Sequence, residues 1–313
     1  MLSPPRSIFL ILITFLFNHS ALCQVYKFEN PTFTLDQRID IAIKQTLNDN
    51  FNELMYIGYA VTSDGELDTA DDLFIALAYS FRSYRPALKH VIVSTSFEKI
   101  NRDRHPIYLL GNASQIQSLK TLFKLFSEIH YNRQRQDILD AVGEHPPQEA
   151  INKFLSHVIF NHYHPALQQK CIDILGRFGD AESLEHILDI LARHDDTALL
   201  RRAIYSISLR NDPERFRIIS ALATGSKKPE IRKEAIFNLS HIHRGESLAT
   251  LYEVVNTDAD PDLRKFAVFS ISRFPVPVAC QVLLRIARSH QENEIRKKAL
   301  YWLRNLYHHK ALS

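Results

Sequence analysis

The sequence predicts an all-α solenoid, an α-α superhelix of about seven helix pairs. Three observations carry this. From about Arg102 to the C-terminus the chain repeats itself every 32 residues, with one step of 33 near Leu175. The column Ile107, Leu139, Ile172, Ile204, Ile236, Val268, Leu300 is branched aliphatic throughout, and so is Leu110, Val142, Leu175, Ile207, Leu239, Ile271, Leu303. Small residues recur beside them at Cys171, Ala203, Ala235, Ala267 and Ala299. Units of such a period bury their apolar faces against their neighbours, and a small contact residue lets two helices approach closely.

Taken in order, the chain begins MLSPPRSIFLILITFLFNHSALCQ. Arg6 is a positive start, Ile8 to Phe17 is apolar apart from Thr14, and Ala21-Leu22-Cys23 is a small-x-small site. Residues 1–23 therefore read as a secretory signal peptide cleaved after Cys23. The apolar run is about half the length that spans a bilayer, and no membrane span is expected once the signal is removed. Bulky Leu22 before Cys23 weakens a lipoprotein reading. The expectation is export, to a periplasm or cell envelope or into the medium.

Residues 24–98 are expected to form an N-terminal helical region, either degenerate repeats or a cap. Leu35 to Leu54 suits one or two helices. Counting one period back from Ile107 reaches Ile75, so Asp71–Phe81 and Pro86–Val93 read as a further helix pair. Val61–Asp72 is an acidic loop, and Val91–Thr95 has strand-like composition, which keeps some β structure open.

Residues 99–313 are the solenoid, with units near 99–130, 131–163, 164–195, 196–227, 228–259 and 260–291 and a last helix at 292–307. In each unit the first helix carries apolar residues at helical spacing, such as Ile231, Ala235, Ile236 and Leu239. A polar turn follows, such as GRFGDAE, and then a second helix carrying, for example, Leu184, Ile187, Leu188 and Leu191. Pro165, Pro229 and Pro261 suit first helical turns. Tyr301, Trp302 and Tyr307 in the last helix suit a C-terminal cap.

The chain of 313 residues is 45% hydrophobic and 23% charged, and its net charge of +3 includes Arg6 of the leader. So small a charge gives no case for nucleic acid. The cysteines beyond the leader, Cys171 and Cys280, fall on apolar columns three repeats apart, which favours buried thiols over a bridge.

The runs Pro229–Ala235 (PEIRKEA), Asp260–Ala267 (DPDLRKFA) and Glu294–Ala299 (EIRKKA), with the turn Gly176–Asp180, resemble the HEAT-repeat superfamily. The likeness is to the short HEAT-like type of phycobilin lyase subunits and covers about two thirds of the chain. It implies the fold and says little about activity, because such repeats serve unrelated functions. The HEAT-like deoxyhypusine hydroxylase builds a di-iron site from His-Glu pairs, and this chain has no His-Glu dipeptide. Lyase and DNA-glycosylase activities of the superfamily conflict with export. No Gly-rich phosphate loop, Gly-x-Ser-x-Gly elbow or His-Glu-x-x-His is present. The histidine groups His162/His164, His241/His243 and His308/His309 read as solvated loop or turn residues. No catalysis, cofactor or metal is expected.

Two surfaces remain. Arg201, Lys233, Lys265 and Lys297 share one column, and Arg232, Arg264 and Arg296 the column before it. This basic ladder reads as structural, bonding acidic or carbonyl groups of adjacent units, in preference to a polyanion groove. The second helices offer Lys153, His157, Glu185, His186, Asp189, Arg217, Glu253, Gln281 and Arg285 as a partner surface. The sequence thus points to an exported non-catalytic scaffold binding a protein or peptide on its repeats. Its rivals are a metal-binding or catalytic repeat protein using loop histidines, and polyanion binding through the ladder.

Overall fold

The computed structural model describes residues 11–12, 25–49, 53–62, 73–82, 85–95, 105–211, 214–242 and 245–310. The signal peptide, apart from Ile11 and Leu12, and the acidic loop beyond Thr62 lie outside them. The chain divides into two compact units, Met1–Phe154 and Leu155–Ser313.

The first unit holds a sheet of strands β1 (Ile11–Leu12), β2 (Val25–Lys27), β3 (Leu54–Thr62), β4 (Leu73–Ser80), β5 (Ala87–Ser94) and β6 (Ile107–Ser114). Their order is β1-β2-β6-β3-β4-β5. Strands β3, β4 and β5 form an antiparallel meander, and β6 runs parallel to both β3 and β2. Helices α1 (Leu35–Asn48), α2 (Gln115–Glu128) and α3 (Asn132–Gly143) accompany it, and α4 (Glu149–Phe160) contains the division between the units.

Among the described residues of 24–98 no helical repeat is present, and this corrects the expectation. Among the described residues of this region α1 is the one α-helix, opened by a capping box in which Thr34 and Gln37 satisfy each other's backbone N–H. Ile75 lies in β4, and Pro86–Val93 falls mainly in β5. The first helix expected in unit 99–130 is strand β6, so Ile107 and Leu110 enter a sheet. The physical reason is that these runs are short and apolar on both faces. In β3 all residues but Leu54 are buried, and in β4 the run Ile75–Tyr79 is buried without a break; such a run fits helix and strand periodicity equally. In β6 an extra residue against β3 is absorbed at Gly111, where φ is 72°. Ser114 at its end then caps α2 by accepting from Gln117 N at 3.3 Å.

A buried polar chain ties β3 to α2 and to the end of α3. Tyr59 Oη lies 3.1 Å from Ser118 Oγ, and Ser118 Oγ lies 2.9 Å from His145 Nε2. His145 Nδ1 lies 2.8 Å from the Ala141 carbonyl, which can only accept. The imidazole therefore carries its proton on Nδ1, Ser118 donates to Nε2, and Tyr59 donates to Ser118. All three side chains are sealed from solvent, so the Ser–His bond joins elements and reaches no substrate.

The second unit continues as tandem helices: α5 (Pro165–Phe178), α6 (Ala181–Arg193), α7 (Thr197–Leu209), α8 (Glu214–Gly225), α9 (Pro229–Leu239), α10 (Gly245–Thr257), α11 (Pro261–Ser272), α12 (Val276–Ser289) and α13 (Asn293–Lys310). This is the helical solenoid that the period implies. Pro165, Pro229 and Pro261 sit in first turns. In α5 to α11 both aliphatic columns and the small column are fully buried. Cys171 is buried and Cys280 partly so, and neither is bridged. In α13, Leu300 and Tyr301 are 55% and 54% exposed.

Candidate functional site on the first helices

The arginines of the ladder share one geometry. Arg232 Nη1 donates to the Ser226 carbonyl at 2.8 Å, Arg264 Nη1 to Asp258 O at 2.5 Å, and Arg296 Nη1 to His290 O at 2.7 Å. Each acceptor lies six residues back and immediately follows a second helix. Cations at helix C-termini meet unsatisfied carbonyls and the negative end of the dipole. Arg232 also forks onto Asp258, at 2.9 and 3.2 Å, and Arg264 reaches Glu292 at 3.0 Å. These side chains are committed to holding units together.

The other column is exposed and has a neighbour that the sequence reading missed. Four residues after Arg201, Lys233, Lys265 and Lys297 come Tyr205, Phe237, Phe269 and Tyr301, again one period apart. Residues i and i+4 share a helix face. Tyr205, Phe237 and Tyr301 are 42%, 37% and 54% exposed, and Phe269 is half-buried. Cations crowd the rings: Arg202 stands 5.5 Å from Tyr205, Arg273 5.5 Å from Phe237 and 5.8 Å from Phe269, and Lys298 5.3 Å from Tyr301. Comparing residues four beyond each ladder cation would have found this column.

The ladder cations themselves are lightly paired. Lys265 meets Asp262 at 3.1 Å, Lys297 meets Glu294 at 2.9 Å, and Arg201 meets Glu234 at 3.9 Å. Lys233 lies over Phe266 at 5.4 Å. At the start of the ridge a cleft of about 660 Å³ is lined by Asp173, Arg177, Arg202, Tyr205, Leu209 and Asn211 among others. Its lining includes Gly176 of α5 and Ser206 of α7, where the two helices approach closely. Asp173 holds Arg202 by a two-pronged hydrogen bond, which raises the arginine's pKa further.

The second-helix residues are mostly exposed and locally paired. Lys153 bonds Glu149, Asp189 meets Arg193 at 2.7 Å, and Arg217 Nε donates to Glu214 at 2.8 Å. His186 Nδ1 lies 2.8 Å from Ser156 Oγ, and Asn161 turns its amide to His157. Arg285 covers the Tyr252 ring at 5.0 Å, while Glu185, Glu253 and Gln281 face solvent. These side chains are of mixed sign and polarity, and exposed Leu188 and Val278 lie on the same helices as Glu185 and Gln281.

The histidines separate. His164 accepts from Ala166 N at 3.2 Å as a helix cap. His241 donates from Nδ1 to Phe237 O at 3.0 Å and takes a bond from Arg273 at 2.9 Å. His243 and the side chains of His308 and His309 lie outside the described residues. Among the described residues no three His, Cys, Asp or Glu side chains group as metal ligands. No helix among them is long and apolar enough to cross a membrane.

Residues 217–304 match the model of the family described as HEAT repeats. The repeat is HEAT-like. Among solved structures, the complex of CpcE and CpcF of phycocyanin lyase from a Nostoc species is similar at 17% identity and a TM-score of 0.35, over 50% of this chain and 99% of that one. Human deoxyhypusine hydroxylase in complex with glycerol is similar at 15% and 0.29, over 62% and 91%. Lipovitellin is similar at 11% and 0.43, over 84% of this chain and 34% of its own. No curated protein matches the chain.

One expectation is thereby overturned. Missing motifs suggested a chain without catalysis, yet two of the similar structures are named as enzymes. A HEAT-like fold is compatible with a reaction and gives no ground for excluding one.

Proposed function

We propose that this chain is an exported HEAT-like scaffold whose first-helix ridge binds an extended, acidic segment of a partner protein. The observation that carries the reading is the paired columns: aromatics one period apart, each four residues after a cation, with Tyr205, Phe237 and Tyr301 exposed and Phe269 half-buried. Aromatic and arginine side chains dominate binding energy where they can be desolvated, and a regularly repeated patch suits a segment laid along the stack. Asp262 and Glu294 beside the lysines make the field mixed in sign. That favours a peptide with spaced acidic and apolar side chains over a uniform polyanion. The signal-like leader supports export, to a periplasm or cell envelope in a double-membraned host.

The test compares capture of partners from the cell's own envelope fraction by three full chains. The wild type is set against Tyr205→Ser/Phe237→Ser/Tyr301→Ser on the ridge and against Lys153→Ser/Arg217→Ser/Gln281→Ala on the second helices. A partner retained by the second variant and lost by the first supports the ridge. Loss with the second variant alone would move recognition to the second helices and overturn the proposal.

A further inference from the structure

The end of the N-terminal sheet carries a cationic cleft that none of the repeats explains. Register sets Leu54 of β3 beside Ser80 of β4, and Ser80 beside Ala87 of β5, so the three strand ends form one row. Side chains alternate along a strand, so this row faces the same side as Tyr56 and the side opposite Tyr59. Along β5 the pairing passes from Leu88–Tyr79 to His90–Ala78, which leaves Lys89 as an extra residue at a bulge. Bulges re-aim side chains and recur beside functional sites. His105, just before β6, closes the row with its ring 5.9 Å from that of Tyr56.

Leu54, Ser80, Arg82, Arg85, Ala87, Lys89 and His105 line a cleft of about 460 Å³ there. Two arginines, a lysine and a histidine thus line one cleft with a small apolar floor, and no carboxylate is in the lining. Among the described residues no carboxylate pairs with Arg82, Arg85 or Lys89. Like charges lining one cleft repel, and an anion between them relieves the repulsion.

From this we infer that the cleft binds a phosphate monoester group. One guanidinium fork satisfies the two oxygens of a carboxylate, whereas two forks and an ammonium match a dianion with three terminal oxygens. The volume suits a small ligand or a lipid headgroup. Arg82 and Arg85 grip terminal oxygens, Lys89 adds a third cation, and the Ser80 hydroxyl offers a further donor.

The full chain would be titrated calorimetrically with glycerol 3-phosphate and inorganic pyrophosphate, and sedimented with phosphatidylcholine vesicles with and without phosphatidic acid. Binding to soluble phosphates identifies a small-molecule ligand, and binding only to phosphatidic acid vesicles a headgroup. Either should weaken about tenfold for each of Arg82→Gln, Arg85→Gln and Lys89→Gln, and weaken as salt rises. Ser80→Asp, which places a carboxylate in the cleft, should abolish it. Replacing Arg201 and Lys233 by Gln on the ridge should leave it unchanged. No binding to any probe, or equal binding by the triple Gln variant with an unchanged melting temperature, overturns the inference.

Discussion

A Cβ placed on Gly176 would lie 2.8 Å from Cβ of Ser206, closer than any side chain tolerates. The obstacle is the root of a neighbouring residue and cannot swing aside, so the approach of α5 to α7 requires the bare backbone.

Gly176→Ala should therefore destabilise the chain by about 1–3 kcal/mol through overpacking. Gly225→Ala meets nothing within 4 Å and should be neutral or slightly stabilising. Urea midpoints of the two variants check this. Equal midpoints would show that the helices can move apart at no cost.

Arg232 and Asp258 form a pair whose side chains are only 13% and 4% exposed. Arg232→Met would leave the Asp258 carboxylate buried without its counter-charge, at a cost of roughly 3–5 kcal/mol. Lys297→Met breaks an exposed pair with Glu294 and should cost at most about 1 kcal/mol. Thermal unfolding of both variants makes the comparison, and similar losses would refute the buried clamp.

Burial pushes the pKa of His145 down, against smaller opposing contributions from backbone hydrogen bonds to Ala141 and Val142. The unfolded chain then takes up a proton near the ordinary histidine value of about 6.5, while the folded chain resists until a lower pH. Stability should be flat above that value, fall as pH drops through the window beneath it, and level off below the folded pKa. In His145→Gln this share of the slope should vanish. An unchanged slope in the variant, read from urea midpoints across the window, would exclude His145 as its source.

Asp137 of α3 accepts from two groups on the outer strand of the sheet. His90 Nδ1 lies 3.2 Å from its Oδ2 and Val91 N lies 3.4 Å from it. A carboxylate over an edge N–H shields the strand from pairing with another chain. Asp137→Ala should cost about 0.5–1.5 kcal/mol and speed hydrogen exchange at the Val91 amide. Exchange as slow as in the wild type would count against this shielding.

The solenoid was legible because its period repeats the same burial demand many times. Columns such as Ala203, Ala235 and Ala267 vary little when each sits at an identical helix contact. The sheet repeats nothing, and LFIALAYS in β4 is buried on both faces, so alternation never marks it. Length, aromatic and β-branched content were the usable signals, together with Pro106 and Gly111 on either side of the apolar start of β6. On the ridge the cations were found and the aromatics overlooked, although both obey the same spacing. The cleft at Arg82 and Lys89 was invisible in sequence, because strand register alone brings those residues to His105.

The reach of Arg264 back to Asp258 has a consequence for the length of the molecule. If residues 228–259 were excised, Ser226 would stand six positions before Arg264, and the carbonyl now held by Arg232 would pass to Arg264. Duplicating the same segment would recreate the bond once more. The stack can thus grow or shrink by whole units with its fastenings re-formed at each splice, and its span is open to tuning by recombination without redesign of any joint.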